Sequence, residues 1–297
     1  MGIAAEVFRA ILLATRPKTL PAAVVPVWVG CVLAWKLSGN WSPKLAVATV
    51  LGAVFIQIAT NFFNDAIDSA KGADTDRRIG PKRVTASGML SRRTVMLWGG
   101  VFLLLAIACG VVLVLAAGWP ILAIGIPSIY LAFGYTGGPF PLAYRGLGEL
   151  FVVLFFGIVA VCGTVYVQML EWRPEAVLLG LQVGLLSAVL ISINNLRDRE
   201  EDASTGKLTL AVRWGGRAAR ILIWFEIKAA AILGLGWIYF GEPWLVLGTM
   251  PLWLAGFRII WGVLTEPEGP RMNRLLAIAA VQLVAFAGMF HLFALKF

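Results

Sequence analysis

Residues 44–68 read KLAVATVLGAVFIQIATNFFNDAID, an apolar run of membrane-spanning length that ends in amides and carboxylates. About 20 residues of helix cross a ~30 Å hydrocarbon core, and the apolar part of this stretch, 44–64, meets that length. Asn61, Asp65 and Asp68 stand at i, i+4 and i+7, and Asn64 is four before Asp68. On a helix continuing out of the run their oxygens share one face. A second cluster has the same form: Asn194-Asn195-Leu196-Arg197-Asp198-Arg199-Glu200-Glu201-Asp202 follows another apolar run. Asp198 and Asp202 are i, i+4, with Asn194 and Asn195 one turn earlier. All six aspartates fall within 65–76 or 198–202, and both stretches are crowded with Lys and Arg.

Around these clusters the chain is 60% hydrophobic and 14% charged, with a mean hydropathy of +0.85, which excludes an ordinary soluble domain. Apolar runs predict nine spans, at 20–37, 44–64, 95–117, 119–136, 147–169, 175–196, 217–239, 243–264 and 273–295. The expected fold is an all-α polytopic bundle of about nine transmembrane helices around a central cavity, a single domain over 1–297. Gly118-Trp119-Pro120 makes spans three and four a tight antiparallel hairpin. Arg16, Pro17 and Lys18 precede the first run without a signal-peptide pattern. Under these spans most of the 25 Lys and Arg fall on the side of the two aspartate loops. The positive-inside rule places that side and the N-terminus in the cytoplasm. Topology and anionic lipid head groups account for the net charge of +9 without nucleic acid. Cys31, Cys109 and Cys162 read as small core residues, and His291 as a packing or interhelical hydrogen-bonding group.

Mg²⁺ takes oxygen ligands and is held by one or two carboxylates together with substrate phosphates. Two carboxylate faces could each hold one Mg²⁺ and clamp a diphosphate between them. The polyanion suited to a lipid phase is a prenyl diphosphate. Lys71, Arg77, Arg78, Lys82 and Arg83 after the first cluster, and Lys207 and Arg213 after the second, would meet the charge that grows as its C–O bond breaks. In the bland reading the acids only balance loop arginines and cap helices, but their confinement to two helically spaced clusters favours a site. A secondary transporter would also be polytopic with paired repeats, yet it places ionisable groups near the midplane. Here only Glu226 and Lys228 lie well inside a span. The matching clusters four spans apart suggest a duplicated four-helix unit.

At these residues the chain resembles the UbiA superfamily of intramembrane prenyltransferases, and within it the menaquinone branch. The first motif, Asn-x-x-x-Asp-x-x-Asp, stands at Asn61 to Asp68, with Lys71-Gly72-Ala73-Asp74 and Arg78-Ile79-Gly80-Pro81-Lys82-Arg83 after it. The second, Asp-x-x-x-Asp, stands at Asp198 to Asp202, followed by Gly206-Lys207-Leu208-Thr209. Tyr135-Thr136-Gly137-Gly138-Pro139 and Gly146-Leu147-Gly148-Glu149 lie between. The resemblance implies two Mg²⁺ on the prenyl diphosphate, held by Asn61, Asp65, Asp68, Asp198 and Asp202, with Lys71, Arg83 and Lys207 steadying its oxygens. Asn64, Arg78, Tyr135, Tyr144, Arg145, Asn194 and Asn195 complete the expected substrate contacts. Some superfamily members carry a Tyr and Lys pair after the fourth span, where this chain has Tyr144-Arg145. The implied activity is polyprenyl transfer to 1,4-dihydroxy-2-naphthoate with decarboxylation, in a bacterial plasma membrane with the site loops cytoplasmic. The alternative acceptors are 4-hydroxybenzoate, homogentisate and a chlorophyllide.

Overall fold

The computed structural model describes residues 3–74, 79–81 and 83–296. Among them there is no strand, and 81% of the chain is helical. The helices are α1 (Ile3–Thr15), α2 (Pro21–Ser38), α3 (Pro43–Ala70), α4 (Arg92–Ala117), α5 (Trp119–Gly134), α6 (Gly148–Met169), α7 (Pro174–Arg197), α8 (Arg199–Ser204), α9 (Leu210–Tyr239), α10 (Pro243–Thr265) and α11 (Met272–Lys296). Among the described residues eight of these are long and apolar enough to cross a membrane. The expected fourth span is α5, which has 16 residues. It rises about 24 Å, less than the hydrocarbon thickness. It stops early because Tyr135 to Tyr144 turn back across the bundle end, where the Ala143 amide donates to the Tyr135 carbonyl at 2.9 Å.

Helix boundaries follow local chemistry. Ser42 and Ser91 cap α3 and α4 with side-chain oxygens that accept from Leu45 and Thr94 amides. Gly118, at φ 77°, makes the sharp turn of the α4–α5 hairpin, as expected. The seventh span begins later than α9 does because Gly215 (φ 82°, ψ 165°) interrupts the helix, so a regular spiral starts close to residue 217. The second aspartate cluster is not on one continuous helix. The chain kinks at Asp198 (φ −97°, ψ 9°), and Asp202 lies on the separate α8. The Asp202 amide still donates to the Asp198 carbonyl at 2.8 Å, so the i, i+4 relation survives the kink.

α7 is the axle of the bundle. Two-thirds of its span is buried (67%), against 17% for α4, whose Leu97, Leu104 and Leu115 point outward. Such an outward apolar face is at home in lipid, and the chain is an integral membrane protein. α7 packs on α2, α6, α9 and α11 through a core that includes Val29, Leu179, Leu186, Trp237, Phe286 and Phe290. Several polar groups inside this core find partners. Trp237 Nε1 donates to Gln182 Oε1 (3.0 Å), Gln182 Nε2 to the Ala230 carbonyl (3.0 Å), and Trp28 Nε1 to His291 Nδ1 (2.9 Å). The last is the interhelical role expected of His291. The three cysteines are free.

Small residues let α6 and α7 touch at backbone distance, the usual device where lipid supplies no hydrophobic drive. A Cβ on Gly157 would stand 2.3 Å from the Gly180 carbonyl oxygen, and one on Gly184 would stand 2.6 Å from that of Val153. Gly100 on α4 has open space at the same position. Gly184→Leu is therefore expected to lose at least ~1–3 kcal/mol through overpacking. Gly100→Ala should be neutral or gain up to ~1 kcal/mol of helix propensity. Thermal melting of the purified variants in detergent checks the pair, and equal melting temperatures would contradict this account of the crossing.

Candidate active site

The site forms where α3 and α7 leave the apolar layer. α3 remains helical through Ala70, so Asn61, Asn64, Asp65 and Asp68 occupy its last turns. Asn61, Asp65 and Asp68 are buried. The following loop turns at Gly72 (φ 67°) and folds back onto the helix that precedes it. Both Asp65 oxygens receive backbone amides, Oδ1 from Thr85 at 2.9 Å and Oδ2 from Val84 at 3.1 Å. Arg83 Nη2 donates to Asp68 Oδ2 at 2.9 Å, and Arg83 Nε to Asp74 Oδ1 at 3.2 Å. Asp74 thus organises the loop through Arg83. Asn61 Nδ2 reaches the Thr15 carbonyl (3.0 Å) and Thr19 Oγ1 (3.1 Å), tying α3 to the α1–α2 turn. Arg78, with its neighbours Asp76 and Arg77, and Lys82 lie outside the described residues.

The 135–147 segment lies against the first cluster. Tyr144 donates its hydroxyl to Asp68 Oδ1 at 2.9 Å, and the Lys71 ammonium sits 3.9 Å above the Tyr144 ring. Lys71 Nζ also donates to the Thr136 carbonyl at 2.8 Å, and Thr136 Oγ1 donates to Asn64 Oδ1. Burial lowers the Lys71 ammonium from its ordinary value, against the pull of Asp68. Burial also raises the Tyr144 phenol, and the Asp68 charge adds to it. Arg145 turns away and stacks on Phe140 at 3.7 Å. The cation over Tyr144 is therefore Lys71, supplied by another loop. Sequence adjacency concealed that pairing.

In the second cluster Arg197 forks onto its neighbour Asp198, with Nε to Oδ1 at 2.7 Å and Nη2 to Oδ2 at 2.6 Å. Its remaining donors reach Asn194 Oδ1 (2.8 Å) and Asn273 Oδ1 (2.7 Å) on α11. Arg197 uses four of its five N–H donors here and braces the kink. Lys207 Nζ donates to Asp202 Oδ1 at 3.2 Å. Asn195 Nδ2 donates to Glu149 Oε1 at 2.8 Å. The two clusters face each other electrostatically: Asp68 helps raise the Asp202 carboxyl, and Tyr144 feels both charges.

The donor set fits magnesium with a diphosphate. Among the described residues no three acids, histidines or cysteines form a ready-made cage. That suits an ion that keeps its waters and completes its shell with phosphate oxygens. Each protein-bonded carboxylate oxygen still has a second lone pair. Among the described residues, the buried atoms of the site without a hydrogen-bond partner include an acceptor, Asp202 Oδ2, and a donor, Arg83 Nη1. A cation would satisfy the first and a phosphate oxygen the second.

A profile of the UbiA prenyltransferase family matches residues 23–293. The chain belongs to this family. A 1,4-dihydroxy-2-naphthoate octaprenyltransferase of Mycobacterium tuberculosis is 37% identical over 241 residues, covering 81% of each chain. Among solved structures, an apo UbiA homolog from Aeropyrum pernix K1 superposes with a TM-score of 0.71 at 17% identity, covering 97% of this chain and 98% of that one. A UbiA homolog from Archaeoglobus fulgidus, bound to DMAPP and Mg²⁺, gives 0.62 at 17% identity over 94% and 98%. At that identity the structural likeness speaks for the fold. As a member of this family the chain is an aromatic prenyltransferase.

Asp202 carries a testable pH signature. Burial raises its carboxyl from an ordinary 3.8 to about 6; Lys207 opposes the rise, and Asp198 and Asp68 add to it. Between those values the folded protein holds a proton that the unfolded chain has lost, so stability falls as pH rises through the window, and the penalty is complete above about 6. Asp202→Asn should melt higher than the parent above pH 6 in metal-free detergent, with the gap closing toward pH 4. A gap independent of pH would contradict the assignment.

Proposed function

We propose that the chain transfers a polyprenyl group from a prenyl diphosphate to 1,4-dihydroxy-2-naphthoate, with loss of the carboxylate, giving a demethylmenaquinol, the hydroquinone form of a demethylmenaquinone. The observation that carries this reading is the pair of Asp clusters in each other's field, with a buried acceptor, Asp202 Oδ2, and a buried donor, Arg83 Nη1, left without a hydrogen-bond partner among the described residues. The acceptor is argued from the M. tuberculosis relative, whose similarity runs over most of both chains.

Asp65, Asp68, Asp198 and Asp202, with Asn61, would hold two Mg²⁺. Bound there, the ions neutralise the diphosphate and favour its departure. Arg83 Nη1, Lys71 and Lys207 would supply N–H donors to diphosphate oxygens, and Tyr144 fixes the Asp68 carboxylate that would face the metal. The backbone clamp on Asp65 keeps the first cluster from rearranging as charge moves, so little reorganisation accompanies the reaction. Apolar walls keep water from the allylic cation. The chemistry asked of the protein is chiefly positioning and electrostatics.

The membrane is a bacterial plasma membrane, and the crowding of Lys and Arg around the site loops supports a cytoplasmic mouth. We take α5 as a short ninth span, which keeps both site loops on one side of the membrane.

Purified protein given labelled prenyl diphosphate, Mg²⁺ and a panel of aromatic acceptors tests the reading. Product is expected with dihydroxynaphthoate, absent after chelation, and reduced at least ~10²-fold in Asp65→Ala and Asp198→Ala, the scale of losing one electrostatic stabiliser. Full turnover in Asp65→Ala would sink the metal assignment. Product with 4-hydroxybenzoate alone would move the acceptor to another branch.

A further inference from the structure

The diphosphate site leaves two buried carboxylates unused. Glu149 opens α6 and Glu226 lies well inside α9; they are 5% and 2% exposed. Each is held through one oxygen only. Asn195 Nδ2 donates to Glu149 Oε1 at 2.8 Å, and Ser192 Oγ donates to Glu226 Oε1 at 2.8 Å. In both, Oε2 is buried without a hydrogen-bond partner among the described residues. An unsatisfied buried acceptor costs ~1–3 kcal/mol, more when charged, so a retained one needs an occupant.

Position separates the two. Asn195, which holds Glu149, immediately precedes Leu196, Arg197 and Asp198 at the end of α7, which puts Glu149 at the level of the aspartate clusters, and the Tyr135 side chain lies in the combined field of Glu149, Asp68 and Asp202. A Cβ on Gly148, the residue before Glu149, would stand 2.9 Å from the Tyr135 hydroxyl. The bare glycine thus lets Tyr135 close over the start of α6. Glu226 has no such link to the reaction centre beyond its electrostatic coupling to Glu149.

We propose that Glu149 binds and deprotonates a ring hydroxyl of the aromatic acceptor through Oε2, with Asn195 positioning the carboxylate through Oε1. The proposal rests on the prenyl transfer described above. The hydroxyl O–H bond breaks and its proton passes to Oε2. The freed electron pair moves through the ring to the carbon that bonds the allylic carbon, and the C–O bond to diphosphate breaks with its pair leaving on the diphosphate. Alkylation at the carbon bearing the carboxylate leaves a β-keto acid. Carbon dioxide departs, the electron pair of the broken C–C bond restores the ring and returns charge to the oxygen, and that oxygen takes the proton back from Glu149. No proton is gained or lost overall. A base for this cycle needs no path to water, which matches a carboxylate sealed at the end of a membrane helix.

The test uses Glu149→Gln in the full-length protein in nanodiscs, with dihydroxynaphthoate and a ring-fluorinated series whose hydroxyls are progressively more acidic. The expected result is a kcat lowered ~10²–10⁴-fold, the range for losing a positioned base. KM for the prenyl diphosphate should stay within ~2-fold of the parent. The deficit should shrink as the acceptor hydroxyl becomes more acidic, because an ionised acceptor needs no base. A kcat near the parent value, or a deficit uniform across the series, would overturn the proposal. If Glu149→Gln melts too low to assay, Asn195→Ala carries the same comparison, with a smaller loss and the same dependence on acidity expected. Should the parent prenylate only a different hydroxyarene, the choice of acceptor fails, and the Glu149 comparison proceeds on that compound and its fluorinated forms.

Discussion

Burying a carboxylate at the rim of an apolar bundle costs several kcal/mol unless donors meet it, and both ends of this site are built around meeting that cost. The means differ. Asp65 is met by two neutral amides from Val84 and Thr85. Asp68 is met by one cation and one phenol, from Arg83 and Tyr144. Asp198 is met by the planar fork of the residue beside it. Each solution recruits a different piece of chain, so the loop after α3, the 135–147 segment and the kink after α7 are all ordered by the same requirement. Removing Arg197 would leave Asp198 charged and unpaired, which is why a residue that points away from the ligand still belongs to the site.

These donors also set the electrostatic balance. Clamping by neutral amides brings no opposite charge to Asp65, and the second lone pair of each oxygen is free to face a metal. Arg83 divides its donors between Asp68 and Asp74, and among the described residues its Nη1 is uncommitted. The mouth therefore holds both spare donor and spare acceptor capacity. A metal–diphosphate pair resolves both at once, whereas a lone cation or a lone phosphate would resolve only one.

Much of this was legible before any coordinates. Hydropathy located the spans because a lipid phase leaves the backbone few options other than helices. The i, i+4, i+7 spacing put Asn61, Asp65 and Asp68 on one face because α3 does run through them. What stayed hidden depends on contacts between distant segments. Tyr144 is 76 residues from Asp68, and no spacing rule links them. The reading of Tyr144-Arg145 as a unit missed that Arg145 stacks on Phe140 while Lys71 takes the place over the ring. The kink at Asp198 was equally invisible, since its cause is a side chain–side chain fork that competes with helical continuation. Glu149 did stand in a quoted motif, and the signal available was a carboxylate at the very start of an apolar run, a costly placement that marks function by default.

The backbone of α6 connects this hidden residue to the core. Glu149 meets Asn195, and eight residues later Gly157 meets Gly180 and Gly184, so both face α7. At 3.6 residues per turn those two positions would lie about 80° apart on a regular α-helix. Val153–Val159, which includes Gly157, is wound as a π-helix, and its wider i→i+5 turn takes up much of that angle. Close glycine packing in the middle of the membrane and an acid aimed at the rim are therefore not independent features. The irregular stretch lets one helix do both, and straightening it would rotate Glu149 off Asn195 or drive the glycine face away from α7. An unusual winding beside a buried acid is the backbone's record that the position of Glu149 is under constraint.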